Sequence, residues 1–294
     1  MKRHTVHKAV FPVAGWGTRW LPTTKTIPKE LLPVGDLPLI HHVVEEAVSS
    51  GMEELLFVIS KGKETIPDYF REDADLTAFL QSRGRMEIMD SWLALCRKLQ
   101  VGQVIQKEAR GLGDAVYQAR NFSESSPFAV LLPDDLVFSQ TPCMAQMAAI
   151  HNEFGGAVLA LERVPIDQIS RYGVIDGEEV KPGIFRVRSM VEKPKPEDAP
   201  SDLAVIGRYI LPPEIFPALE DLPPGAGGEI QLTDAIARLI SDTGVVGVIF
   251  EGTRYDAGYP LGWLFTNLKY FSEDPRFLDH SLLQSIRNLI FRQE

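Results

Sequence analysis

The chain has 294 residues, 45% hydrophobic and 24% charged, a globular balance that excludes disordered and fibrous classes, and no apolar run approaches the roughly 18 residues of a membrane span. A formal net charge of −10 argues against nucleic-acid partners, which require a broad basic surface. The two cysteines, Cys96 and Cys143, show neither CxxC nor metal-ligand spacing, which speaks against a disulfide framework and a zinc site and fits a reducing cytoplasm.

Lys2, Arg3 and Lys8 open the chain in a basic cluster. The stretch Val10-Phe11-Pro12-Val13-Ala14-Gly15 after them is too short and too broken for a secretory leader, and none is expected. Residues 7–14 read instead as a strand running into a Gly-rich turn. Residues 37–50 form a helix, with Leu39, Ile40, Val43, Val44, Ala47 and Val48 at three- and four-residue intervals and Gly51 closing it. Residues 54–60 are a continuous apolar run, the pattern of a strand buried on both faces of a parallel sheet. Further strands are expected at 102–106, 128–132 and 157–162, and helices at 87–99, 113–121 and 143–153. Short buried strands alternating with helices predict an α/β, Rossmann-like doubly wound sheet. Beyond about residue 165 proline becomes frequent and strands such as 204–210 alternate with turns. This half reads as an extension built on the same sheet. The tail 277–291 carries Leu278, Leu282, Leu283, Ile286, Leu289 and Ile290 at amphipathic helical spacing. It suits packing on the parent domain or, the sharper reading, a subunit contact.

The first chemical feature is Ala14-Gly15-Trp16-Gly17-Thr18-Arg19, followed by Lys25 and Lys29. It leaves a buried strand at its carboxyl end, where open α/β sheets bind ligands. Glycines let backbone N–H groups approach phosphate oxygens, Arg19 offers a planar fork of donors, and Lys29 a movable point charge. A Walker A loop would need Gly-Lys-Ser/Thr, which is missing. A dinucleotide fingerprint needs a third glycine where Trp20 stands.

Gly15-Trp-Gly-Thr-Arg19 with Pro28-Lys-Glu-Leu-Leu-Pro33 resembles the signature of the sugar nucleotidylyltransferase family. The resemblance continues through Gly111-Leu-Gly-Asp-Ala-Val116, Leu132-Pro-Asp-Asp135, Arg171-Tyr-Gly-Val-Ile175 and Val191-Glu-Lys-Pro194. It extends to Ile206-Gly-Arg-Tyr209, Gly228-Glu-Ile-Gln-Leu-Thr-Asp234 and Tyr255-Asp-Ala-Gly258, covering roughly residues 8–270. The fold it implies is a mixed doubly wound sheet, helices on both faces, with a β-rich sugar-binding extension (glycosyltransferase-A-like). One domain over 1–276 is expected, its nucleotide half about 1–165 and its sugar-phosphate half about 166–276, with 277–294 as a terminal helix.

The resemblance also implies roles for residues. Asp134 and Asp256 are expected to hold Mg²⁺, a hard ion that takes one or two carboxylates plus phosphate oxygens. Asp135 is expected to be a helix cap or turn residue. Nucleotide contacts fall to Ala14, Gly15, Gly17, Thr18, Gln106, Gly111 and Asp134, with Gln106 offering donor and acceptor to a uracil edge. Gly173, Glu192 and Lys193 are expected on the sugar phosphate. The reaction implied is in-line attack of glucose 1-phosphate on the α-phosphorus of UTP, assisted by Arg19, Lys29 and Lys193. The attacking phosphate is already largely dianionic, with a second pKa near about 6, so no general base is required, and none of the six histidines falls in a motif. Leu37, Gly228, Tyr259-Pro260, Trp16 and Trp20 depart from the usual pattern without removing a residue the chemistry needs. Transfer from dTTP is the nearest rival, and a non-catalytic nucleotide-sugar-binding regulator is the rival of another class. A homodimer or homotetramer is the family expectation.

Overall fold

The computed structural model describes residues 6–274. Its strands in chain order are β1 Lys8–Pro12, β2 Pro33–Val34, β3 Leu37–Pro38, β4 Glu54–Ile59, β5 Gln100–Ile105, β6 Phe128–Leu131, β7 Asp135–Phe138, β8 Ala157–Arg163, β9 Gly173–Lys181, β10 Ile184–Glu192, β11 Leu203–Leu211, β12 Val245–Ile249 and β13 Thr253–Asp256. Nine form one sheet in the order β5-β4-β1-β6-β11-β8-β12-β10-β9. Neighbours from β5 to β6 are parallel, as are β8 and β12, whereas β11 runs antiparallel to both β6 and β8. The sheet is therefore mixed.

Successive side chains of a strand face opposite sides, and the central strands carry apolar residues on both faces. Ala9, Phe11, Leu55, Phe57, Ile59 and Leu131 enter one core, while Val10, Leu56, Val58, Phe128 and Val130 enter the other. Helices Leu39–Ser49 and Cys143–Phe154 cover the first face through residues such as Ile40, Val44, Met144 and Met147. Helices Ile215–Glu220 and Leu232–Asp242 cover the second through Ile215, Phe216, Ile236 and Leu239. Phe11 and Phe57 are fully buried and stack with centroids 5.0 Å apart; burying each such ring stabilises the fold by about 1.5–3 kcal/mol.

Several boundaries differ from the sequence pattern: the helix expected over 113–121 is two, Leu112–Tyr117 and Arg120–Ser123, and the strand expected at 102–106 is Gln100–Ile105. Leu37–Pro38 pairs with β2, and the helix starts at Leu39, because a residue before proline is pushed out of helical geometry. The stretch 87–99 is α-helical only over Asp90–Cys96, where Leu93 and Cys96 anchor it to the protein. The long strands β9 and β10 pair antiparallel, and the start of β9 also pairs with β11. Gly173 thus lies between Glu192 of β10 and Val205 of β11. The amphipathic stretch 277–291 lies outside the described residues.

Candidate active site

The chain passes from β1 outward to β4 and β5, then returns to β6 on the other side of β1. That reversal opens a crevice beyond the carboxyl ends of β1 and β6, where such sheets bind ligands. Val13 and Ala14 leave β1 still buried. Gly17 then takes a left-handed φ of 64°, a conformation that a side chain would strain, and Thr24 Oγ1 donates to its carbonyl at 2.9 Å. Nothing lies within 4 Å of where a Cβ on Gly15 would stand, so its backbone is open to a ligand. Thr18 begins the short turn Thr18–Trp20 that presents Arg19.

This loop is held by a residue outside the motif. Lys63 Nζ donates to Val13 O at 2.7 Å, Gly15 O at 2.6 Å and the Glu30 carboxylate at 3.0 Å, one acceptor for each ammonium proton. Burial pushes the Lys63 ammonium pKa down and the Glu30 carboxyl up, each opposed by the other's charge. Sequence reasoning does not find Lys63. Its signal is Ser60-Lys61-Gly62-Lys63 at the end of buried β4, the kind of strand-end position that drew attention to the glycine loop.

Asp134 follows β6. Its Oδ2 accepts from Lys29 Nζ at 2.6 Å and lies 3.5 Å from Arg19. Burial alone would raise the Asp134 pKa; Lys29, the backbone and Arg19 outweigh it and hold the carboxyl below the ordinary range. Burial likewise opposes the charge of Lys29, but Asp134 and Glu30 raise its pKa. Asp256 ends β13 and accepts the Gly258 N–H at 2.9 Å. Burial raises its pKa, and the negative charges of Asp135 and Asp134 raise it further. A Cβ on Gly258 would lie 2.6 Å from Asp134 Oδ2, 2.7 Å from Arg19 and 2.9 Å from Asp256 Oδ1. The glycine therefore lets both carboxylates converge. One is matched by Lys29; the other makes no ion pair within 4 Å among the described residues. Such a pair suits a hard divalent cation.

Asp135 is neither a helix cap nor a turn residue. It opens β7 opposite Asp256 of β13 and is buried, with Oδ1 on Arg254 Nε at 2.6 Å and Oδ2 accepting Gly207 N–H at 2.8 Å. The turn is confined to Pro133-Asp134, and Arg254 supplies the charge that makes burial of Asp135 tolerable.

On the far side, Glu192 Oε2 accepts from Thr233 Oγ1 at 2.6 Å, and Lys193 Nζ lies 3.3 Å from Glu192 Oε1. Lys193 adopts a φ of 47° while its N–H bonds Tyr172 O at 2.9 Å. A left-handed non-glycine backbone is uncommon and costs on the order of 1–3 kcal/mol, characteristic of residues held for function. A Cβ on Gly173 would stand 3.0 Å from Thr233 Oγ1 and 3.2 Å from Glu192 Oε2, so only glycine keeps that approach open. Thr233 is a second residue whose role sequence reasoning does not assign, although it stands inside the Gly228–Asp234 segment.

One cleft of about 310 Å³ is lined by Arg19, Asp134, Asp256, Gly173, Glu192 and Lys193 together. Lys29 joins it through Asp134. Gln106 and Gly111 form a separate cluster at its edge: Gln106 Nε2 donates to Asp114 at 2.7 Å and to Gly111 O at 3.2 Å. Gly111 packs so tightly that a Cβ would come within 2.7 Å of Glu229. Glu229 and Leu112 both line the cleft.

Cations facing two convergent carboxylates in one cleft suit an enzyme of phosphate chemistry. The match to known proteins gives that class its name. A profile of the nucleotidyl transferase family covers residues 8–266, and the chain belongs to that family. It is 43% identical over 286 residues to the UTP–glucose-1-phosphate uridylyltransferase of Staphylococcus haemolyticus, spanning 97% of this chain and 99% of the relative. A UDP-glucose pyrophosphorylase solved with UDP-glucose superposes with a TM-score of 0.85 at 38% identity, over 92% of this chain and 100% of that one. The UTP-bound enzyme of Acinetobacter baumannii gives 0.88 at 34% identity, over 98% and 100%.

Proposed function

We propose that the protein transfers the uridylyl group of UTP to glucose 1-phosphate, releasing pyrophosphate and forming UDP-glucose. The observation that carries this reading is the single cleft joining the Asp134–Asp256 pair to the Glu192–Lys193 pair. One end offers cations and a divalent-ion site to a triphosphate; the other offers a lysine and hydroxyl-binding groups to a sugar phosphate. The names of the full-length relatives agree with it.

In this reading the backbone of Ala14, Gly15 and Gly111, with Gln106, holds the base edge. Gly17, Thr18, Arg19 and Lys29 hold the triphosphate, and Lys29 leaves Asp134 for phosphate oxygens as it does so. Lys193 neutralises and aims the attacking phosphate, while Glu192, Thr233 and the Gly173 backbone position the sugar. A phosphate oxygen forms the new bond to the α-phosphorus as the bond to pyrophosphate breaks, in line and with no proton transfer. Catalysis is positioning plus charge stabilisation. Asp134 and Asp256 fit Mg²⁺, because the half-buried Asp256 carboxylate, with a raised pKa and no ion pair among the described residues, calls for positive charge. Bound there, Mg²⁺ would supply Lewis-acid neutralisation of the phosphoryl oxygens. Residues 1–165 act as the nucleotide half and 166–276 as the sugar-phosphate half. The chain works in the cytoplasm as a homodimer or homotetramer, which light scattering on the purified protein checks.

Pyrophosphate release measured with Mg²⁺ across UTP, dTTP, CTP and ATP, each against a panel of sugar 1-phosphates, tests the proposal. UTP with glucose 1-phosphate is expected to turn over fastest. Preference for dTTP would move the assignment to thymidylyl transfer, and no release with any pair would overturn it.

A further inference from the structure

Beneath the acidic pair lies a buried cation that the reaction itself does not use. Arg208, on β11, has no exposed surface. Nε and Nη2 hold the Glu46 carboxylate, with Nη2 to Oε2 at 2.8 Å. Nη1 donates to Leu132 O at 3.0 Å and Gly207 O at 3.1 Å, and Nη2 to Asp135 O at 2.6 Å. A guanidinium carries five N–H groups in a rigid plane, and each is matched here. Two acceptors, Leu132 O and Asp135 O, flank Pro133-Asp134 on either side. The pairing of β11 with β8 shifts register between Val205 and Tyr209, and such an irregularity re-aims a side chain. Glu46 is fixed in turn, accepting the Met144 N–H at 3.2 Å at the start of helix Cys143–Phe154.

We propose that Arg208 is a positioning residue that sets Asp134 against Asp256 by clamping the carbonyls on both sides of Asp134. The inference rests on the metal-assisted transfer proposed above. Lysine would keep the charge beside Glu46, but its three donors radiate from one point and cannot span Glu46, Leu132 O and Asp135 O in one plane. Gly207 offers an independent handle. A Cβ there would lie 2.5 Å from Asp135 Oδ2 and 2.6 Å from Leu132 Cβ, so Gly207→Ala pushes on the same loop while leaving the Arg208–Glu46 pair intact.

The experiment compares wild type, Arg208→Lys and Gly207→Ala by Mg²⁺ titration of turnover, by KM for glucose 1-phosphate, and by Mn²⁺ bound in the presence of UTP, counted from loss of the free-ion electron paramagnetic resonance. Partners that orient a metal ligand typically control affinity or activity by about 10–100-fold. Both variants are expected to need about ten or more times the Mg²⁺ for half-maximal rate and to bind Mn²⁺ correspondingly weakly. KM for glucose 1-phosphate should stay within about twofold, a split that general loosening of the fold would not produce. A folded variant with wild-type Mg²⁺ and Mn²⁺ titrations overturns the inference. If Arg208→Lys does not melt cooperatively, Gly207→Ala decides whether displacing the clamped loop weakens the metal site, and wild-type titrations there overturn the inference. A wild-type protein without turnover sinks the transferase reading instead, while the Mn²⁺ titrations still judge the clamp.

Discussion

Asp256 shows at the scale of one residue how function is set against stability. Burial, then Asp135 and Asp134, raise its pKa, so the folded chain holds that proton more tightly than the unfolded chain does. Its contribution to stability is therefore present below the ordinary carboxylate range and is lost as pH rises through the raised pKa. Once ionised, the carboxylate is a cost to the fold, one that the proposed Mg²⁺ would offset. Asp256→Asn should abolish Mg²⁺-dependent turnover yet melt higher than wild type at pH 7 in metal-free buffer. The gain should be on the order of 1 kcal/mol, as is common when a functional site is relieved, or about 2–4 °C for a chain of this size. The gap should narrow as pH is lowered toward the ordinary carboxylate range. Thermal melts at several pH values check this, and a variant melting below wild type at pH 7 would contradict it.

At the scale of elements, the glycine loop depends on the element beside it. Lys63 straps the end of β1 to Glu30, and Glu30 is only 1% exposed. Breaking a buried pair by removing one partner leaves an uncompensated charge and costs about 3–5 kcal/mol. Lys63→Met should destabilise by about that amount. The double variant Lys63→Met/Glu30→Gln should recover part of the loss, because no stranded carboxylate remains, while KM for UTP stays raised in both. Urea unfolding of the two singles and the double gives the coupling; equal losses in Lys63→Met and the double would count against the pair. This pattern also marks what the sequence could reveal. That Arg19 of the glycine loop, Asp134 and Asp256 share one cleft was legible mainly through motifs that resemble a family signature, with strand-end position drawing attention to the loop. Lys63, Arg208 and Thr233 act through contacts with distant segments, such as Lys63 with Gly15 or Thr233 with Glu192. No local spacing encodes such contacts. Asp135 looked like a turn residue because nothing in Asp134-Asp135 announces that β7 will pair with β13 and find Arg254.

At the scale of the molecule, alternating apolar strands and helices made the doubly wound layers legible, but not the strand order. Periodicity says that a strand is buried on both faces and is silent on its neighbours. The consequence is that residues far apart in sequence share one sheet: β11 lies between β6 and β8, and β12 between β8 and β10. The cleft draws on both halves of the chain, with Arg19 and Asp134 from the first and Gly173, Lys193 and Asp256 from the second. A nucleotide half that unfolded by itself would have to abandon β11 from its pairing with β6, exposing a strand buried at all nine of its positions. The two halves should therefore unfold together. Urea unfolding followed by tryptophan fluorescence, from Trp16, Trp20, Trp92 and Trp263, and by far-ultraviolet circular dichroism should give midpoints that coincide, as for a two-state unit. Two separated transitions would show that the halves are independent domains, joined only at the cleft they share.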